Sequence, residues 1–161
     1  MNKEAVLEIH SSKREERDAI GAITRSTGVF SQEELETVFE LFDGYTNNPA
    51  SGYEFLSAAI GNQLAGFACF GPTALAEGAF DYYWLSTDAA LQRRGVGRAL
   101  CDAVEQEVRK RKGRMIVIWT SGTGEYLPAT RLYDRLGYVR EGRIRDFYKP
   151  GDDLLIFVKY L

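Results

Sequence analysis

Histidine, cysteine and long apolar runs are scarce in this chain, and each scarcity removes a class of function. His10 is the single histidine. It falls at the end of a first strand with no cluster of further ligands beside it, so it reads as structural and no metal is expected. The two cysteines, Cys69 and Cys101, lie in separate apolar runs without CxxC spacing. That pattern predicts reduced, packed thiols, with neither acting as a nucleophile, and excludes a zinc or redox pair. No apolar stretch approaches the ~20 residues that cross a bilayer, so no membrane partner is expected. Met1-Asn2-Lys3-Glu4 carries an acid and leads into no signal-type apolar region, which predicts a cytoplasmic protein. A positive charge excess is also missing: 20 basic side chains against 23 acidic ones give a net charge of −3. Such a balance disfavours nucleic acid and suits a small anionic ligand at a locally basic loop.

What is present is an ordinary globular composition, 161 residues with 45% hydrophobic and 27% charged content, read as a single domain over 1–161. Ala5–His10 alternates weakly as a strand. Ser12, with Glu15 and Glu16 behind it, predicts a helix to about Thr27 stopped by Gly28. Ser31 and Glu34 form a capping box for a second helix ending near Gly44, with Leu35, Val38, Phe39, Leu41 and Phe42 on one stripe. Tyr53–Ile60 and Leu64–Phe70 form a hairpin across Gly61-Asn62-Gln63. Phe80–Ser86 is a fourth strand. A third helix carries Val96, Leu100, Ala103, Val104 and Val108, and its basic end, Arg109-Lys110-Arg111-Lys112, stops at Gly113. Met115–Trp119 reads as a strand apolar at every position. A helix over Leu127–Leu136 stops at Gly137, and strands over Tyr138–Phe147 and Leu154–Tyr160 follow. The order is strand, two helices, three strands, helix, strand, helix, two strands. Its strand–helix–strand crossover needs a parallel pair and its hairpins antiparallel ones, so the sheet is mixed and the class α/β.

The segment with the most chemistry is Gln92-Arg93-Arg94-Gly95-Val96-Gly97-Arg98-Ala99, between a strand and a helix. The first amides of a helix lack intrahelical partners and the dipole adds positive charge there, so this junction suits a phosphate. Glycines permit close backbone approach, and Arg93, Arg94 and Arg98 add full charges. A P-loop is excluded because Gly97-Arg98-Ala99 stands where Gly-Lys-Ser/Thr is required. The dinucleotide fingerprint is excluded because Leu100 replaces its third glycine.

The remaining pattern, Q/R-x-x-G-x-G/A, is met in full by Gln92–Gly97. On this loop, on Ala129-x-x-Leu132-Tyr133-x-x-Leu136-Gly137-Tyr138, and on the order of elements, the chain resembles the GNAT superfamily of acyl-CoA-dependent N-acyltransferases. The resemblance implies a sheet whose fourth and fifth strands splay, with the thioester of acetyl-CoA entering the gap. It implies pyrophosphate contacts at Gln92, Arg93, Arg94, Gly95, Val96, Gly97, Arg98 and Ala99, and strand-like pairing of pantetheine with Leu85, Ser86 and Thr87. Tyr133 is the implied general acid: a phenol near pKa ~10 can protonate a departing thiolate near ~8.5. Many family members carry a glutamate near the end of the fifth strand as general base, but Trp119-Thr120-Ser121-Gly122 holds no carboxylate. Glu125 is the nearest acid and the candidate base. Tyr126 stands where the family often has a cofactor-binding asparagine. Acceptor selection falls to the first two helices, with Glu33, Glu34, Glu36, Glu40 and Asp43, and to the last hairpin, with Asp146, Phe147, Tyr148, Asp152 and Asp153. Together with Asp81, Tyr82, Tyr83 and Trp84 they suggest an acidic, aromatic cleft for a cationic amine. The expected activity is direct, ternary-complex acetyl transfer to a primary amine, in a family whose members are often homodimers. The rival readings are a different acyl-CoA donor and a non-catalytic acyl-CoA-binding module.

Overall fold

The computed structural model describes residues 6–161. Among them run β1 (Leu7–Ser11), α1 (Arg17–Ser26), α2 (Gln32–Asn47), β2 (Glu54–Ile60), β3 (Gln63–Pro72), β4 (Ala79–Thr87), α3 (Val96–Lys110), β5 (Met115–Ser121), α4 (Leu127–Arg135), β6 (Val139–Lys149) and β7 (Asp152–Tyr160). The strands form one mixed sheet in the order β1-β2-β3-β4-β5-β7-β6. Ala5 of the expected first strand, and Met1–Glu4, lie outside the described residues. The chain divides into two compact units, the first holding residues up to Gly71 with Trp84–Val104, the second Pro72–Tyr83 with Glu105–Leu161.

In the first unit, α1 and α2 cover the β2–β3 hairpin through Ile20, Ile23, Val38, Phe42, Phe55, Phe67 and Cys69. Phe42 meets Phe55 edge-on at 5.1 Å between ring centroids. Gly21 is what brings the two helices together, since a Cβ there would stand 2.4 Å from Phe39 Cζ. Arg17 clamps Asp43 through both carboxylate oxygens, at 2.6 and 2.8 Å. The predicted capping box of α2 is present: Glu34 N–H donates to Ser31 Oγ and Ser31 N–H to Glu34 Oε2.

Three local expectations are corrected. Ser12 caps nothing; its hydroxyl bonds Ser57 at 2.7 Å, and Lys13 precedes a 3-10 turn (Arg14–Glu16) that leads into α1. Helix α2 runs past Gly44 to Asn47, because the apolar stripe is still packed there and Pro49 is the first residue to forbid continuation. The hairpin turn is tighter than expected: Gly61 takes φ +60°, and Gln63 already pairs with Ile60.

The second unit is built on β5. Its parallel ladder with β4 runs from Ala79↔Met115 to Tyr82↔Ile118, where the strands splay. On its other side it pairs antiparallel with β7 along its whole length, from Met115↔Tyr160 to Ser121↔Leu154. The reading of β5 as apolar and buried throughout is corrected: Ile116, Ile118 and Thr120 are buried, but Trp119 is 58% exposed and meets Phe147 edge-on at 6.2 Å. Gly113 is not the left-handed stop of α3. Lys112 takes that conformation (φ +58°), while Gly113 leaves room for Val108 Cγ1, which a Cβ would approach to 2.2 Å. Gly137 ends α4 as predicted, at φ +84°, with Tyr138 N–H returning to Tyr133 O at 3.0 Å.

Candidate functional site

The first unit carries the phosphate-type loop. Strand β4 ends in Leu85-Ser86-Thr87, and Asp88 N–H then donates to Ala65 O of β3 at 2.9 Å. Asp88 also caps a 3-10 turn (Ala89–Leu91) by accepting from Ala90 N–H at 2.8 Å. Buried Leu91 anchors this turn, so that Gln92, Arg93, Arg94 and Gly95 emerge exposed. Arg93 (φ +64°) and Gly95 (φ +78°) are both left-handed. The conformation is ordinary for glycine and unusual for arginine, a local cost that functional loops often carry. The first amide of α3 with an i→i−4 acceptor is that of Ala99, which donates to Gly95 O at 2.9 Å. The amides of Val96, Gly97 and Arg98 therefore precede the helical ladder, at its electropositive end.

Val96 is buried and ties the first turn of α3 to the sheet, while Arg98 stays 71% exposed and reaches Asp102 only at 3.8 Å. A contact this open adds little stability and leaves the guanidinium available to an anion. The residues present suit a pyrophosphate: Gly95 has open space where a Cβ would be, and Arg93, Arg94 and Arg98 are all exposed on the segment that holds these amides. Beside them, Ser86 is 3% exposed and its Oγ has no hydrogen-bond partner among the described residues. Buried hydroxyls are normally satisfied, so this one is suited to a ligand group running along the strand end.

One residue of this loop's support has no sequence signal. Gly66 on β3 lies where a Cβ would meet Ser86 O and Val96 Cγ1, both at 2.8 Å, and Leu100 Cδ1 at 3.2 Å. Its missing side chain is what lets the start of α3 sit down on the sheet.

The second unit carries the expected acid and base. Tyr133 faces inward from α4, 5% exposed, with its ring 5.7 Å from both Tyr138 and Phe157. It is thus part of the core as well as the candidate acid. Glu125 and Tyr126 belong to a 3-10 turn (Gly124–Tyr126) just before α4, Glu125 exposed and Tyr126 half-buried, with Tyr126 N–H donating to Thr123 O at 3.1 Å. The end of β5 is tied to β7 by Gly122 N–H, which donates to Asp153 O at 2.9 Å.

His10, read from the sequence as structural, pairs with a carboxylate. Its Nε2 lies 2.6 Å from Glu16 Oε1, and Glu16 also accepts from Ser57 Oγ at 2.8 Å. Burial works against the charge of Glu16, but hydrogen bonds from Lys13 N–H, His10 and Ser57 outweigh it and hold the carboxyl below its usual range. Among the described residues no His/Cys/Asp/Glu group is arranged to hold a metal ion, and no helix is long and apolar enough to cross a membrane. Both cysteines are free and buried, and burial first, then Glu54, pushes the Cys69 thiol far up. A cavity of about 420 Å³ beside Ser12, Arg14, Tyr45 and Glu54 lies at the far end of the β2–β3 hairpin from the loop, since Glu54 pairs with Phe70 while Ala65 receives Asp88.

The family model described as acetyltransferase (GNAT) family matches residues 16–138. A Desulfovibrio desulfuricans protein assigned to the GNAT acetyltransferases is similar in structure, with 34% identity, a TM-score of 0.91, and 96% of this chain and 99% of that one covered. The ribosomal-protein-S18-alanine N-acetyltransferase of Escherichia coli shares the fold at 20% identity and a TM-score of 0.77, over 96% of this chain and 94% of that one. A Salmonella typhimurium protein solved with its cofactor acetyl-CoA does so at 16% identity and a TM-score of 0.77, again over 96% and 94%. No curated protein sequence matches the chain.

Proposed function

The chain belongs to the acetyltransferase (GNAT) family, and from that premise we propose that it transfers the acetyl group of acetyl-CoA to a primary amine by direct attack in a ternary complex. The observation that carries this reading is the junction of β4 and α3. There Arg93 and Gly95 turn left-handed, the amides of Val96, Gly97 and Arg98 precede the helical ladder, and Arg93, Arg94 and Arg98 are exposed. Such a junction binds a pyrophosphate through backbone N–H groups and the helix dipole. Leu85, Ser86 and Thr87 then offer backbone to pantetheine, with the Ser86 hydroxyl as a further partner. The amine adds to the thioester carbon, the C–S bond breaks, and Tyr133 gives its phenolic proton to the thiolate. No covalent enzyme intermediate is needed, consistent with two buried cysteines. On this reading the protein acts in the cytoplasm on a small amine or a peptide amine. Glu125 is the acid nearest the end of β5 in sequence and the first candidate for the base.

Titration calorimetry with acetyl-CoA, followed by a screen of amines for release of free thiol, tests the proposal. Saturable binding and amine-dependent thiol release are expected. Absence of binding refutes it, and binding with no release across polyamines, amino acids and N-terminal peptides favours a non-catalytic acyl-CoA-binding module.

A further inference from the structure

Strand β5 ends in Thr120-Ser121 without an acid, yet the fold delivers one to that place. The antiparallel register sets Ser121 opposite Leu154, so the start of β7 runs alongside the end of β5. Ser121 is 6% exposed, and its Oγ donates to Asp152 Oδ1 at 2.5 Å. The same oxygen accepts from Thr123 N–H at 3.1 Å and lies 2.9 Å from Thr123 Oγ1. A serine hydroxyl has one proton, and here it is given to Asp152, so the Thr123 hydroxyl is the donor in that last contact. Ser121 is thereby fixed in direction and pins one carboxylate oxygen, leaving Oδ2 of Asp152 to take up a proton.

Asp153, the neighbouring acid, serves a different purpose: it pairs with Arg143 of β6 and accepts from Asp146 N–H at 2.9 Å. Successive strand residues face opposite sides of a sheet. Asp152 shares its face with Leu154 and Ile156, opposite Ser121 and Trp119, while Tyr133 packs on Phe157 of the other face. A carboxylate and a phenol thus stand on opposite faces of the sheet, on the β5 side of the point where β4 and β5 part. Acetyl transfer needs both groups, a base for the amine proton and an acid for the departing sulfur.

We propose that Asp152 is the general base of acetyl transfer and that Ser121 is its positioning residue. The assignment rests on the acetyl-transfer reading above. The acceptor enters as an ammonium with three N–H protons; it gives one to Asp152 Oδ2, and the electron pair so freed forms the C–N bond to the thioester carbon. The C–S bond breaks with its pair on sulfur, and sulfur takes the phenolic proton of Tyr133. The second N–H proton restores the phenol, and Asp152 releases its proton to water. Asp152 is preferred to Glu125 because Ser121 fixes Asp152, while Glu125 sits exposed on a turn.

The test uses the full chain with spermidine, lysine and a peptide with a free N-terminal alanine as amines, following thiol release from acetyl-CoA. Asp152→Asn is expected to lower kcat about 10²-fold, with KM for acetyl-CoA, its calorimetric Kd and the thermal midpoint unchanged. Ser121→Ala is expected to lower kcat about tenfold while Ser121→Thr, which keeps the hydroxyl, retains it. Returning a carboxylate by Ser121→Glu in the Asp152→Asn background should recover about tenfold or more. If Asp152→Asn does not fold, Asp152→Ser repeats the measurement. Turnover of Asp152→Asn within about threefold of the wild type overturns the assignment while leaving acetyl transfer intact. So does a loss that comes only together with weaker acetyl-CoA binding. A wild-type chain that binds acetyl-CoA but releases no thiol with any of these amines overturns the acetyl-transfer reading, and the base with it.

Discussion

At the scale of single residues, the candidate chemistry divides between backbone and side chain. On the proposed reading the pyrophosphate is held by backbone amides, so Gly95 is expected to matter more than Arg94. At φ +78° with open space around it, Gly95→Ala meets no clash but carries a left-handed alanine, a cost of about 1 kcal/mol. Acetyl-CoA affinity is expected to fall further for Gly95→Ala than for Arg94→Ala, and calorimetry on the two variants checks the order; the reverse order would place recognition on the side chains. Tyr133 is both core and candidate acid, and only the loss of its hydroxyl separates those roles. Tyr133→Phe keeps the ring against Phe157 and Tyr138 and should lower kcat by about 10²-fold or more, with acetyl-CoA Kd unaltered. Unchanged turnover in steady-state assays would remove Tyr133 from the mechanism.

At the scale of elements, what positions the loop is the seating of α3 on β3 and β4. Its apolar stripe, with Val96, Leu100, Val104 and Val108 buried, was visible as a helical period. The close approach was not, because it depends on the absence of a side chain at Gly66 on another element. In Gly66→Ala the added methyl meets the Ser86 carbonyl, which is backbone and cannot swing away. The start of α3 must lift instead, at a cost of about 1–3 kcal/mol. A lowered thermal midpoint together with weaker acetyl-CoA binding is expected. A variant as stable and as tight-binding as the wild type would show that the contact does not fix the loop. Element ends illustrate the same division. Ser31–Glu34, Gly28 and Gly137 marked their helix ends locally, whereas the start of α1 and the C-terminal end of α2 did not follow the local signals at Ser12 and Gly44.

At the scale of the whole molecule, stability against acid rests on a few paired carboxylates. Arg17 beside Asp43 holds that carboxyl below its usual range. Burial opposes the charge of Glu105, but Lys159 and Arg109 outweigh it and hold the group low as well. Glu16 behaves likewise through its hydrogen bonds. A carboxyl held low in the folded state binds fewer protons there than in the unfolded chain, so stability rises with pH across the interval between the two values. The contribution is complete above the ordinary carboxylate range, near pH ~4–4.5, and is lost as pH falls through the folded values. The thermal midpoint is therefore expected to hold steady from pH ~7 to ~5 and to drop below ~4.5. Asp43→Asn or Glu105→Gln should flatten that drop in calorimetric scans, and a wild-type profile without it would mean these pairs contribute nothing.

The sequence by itself determined the order of elements, the mixed sheet, the capping box of α2 and the glycine loop, because each depends on residues near one another along the chain. Helical and strand periods, caps and left-handed glycines act over a few positions, and the spacing of Gln92, Gly95 and Gly97 is of that kind. Tertiary structure alone decided what depends on register and on missing side chains. Trp119 is 58% exposed, with Phe147 edge-on to its ring, where the reading of a buried strand required it covered. Gly66 matters through atoms twenty or more positions away. Asp152 lies 31 residues from Ser121, and only the antiparallel register of β5 with β7 puts the carboxylate at the strand end that lacks one. A shift of one residue in that register would turn Asp152 to the opposite face, since strand side chains alternate with period two.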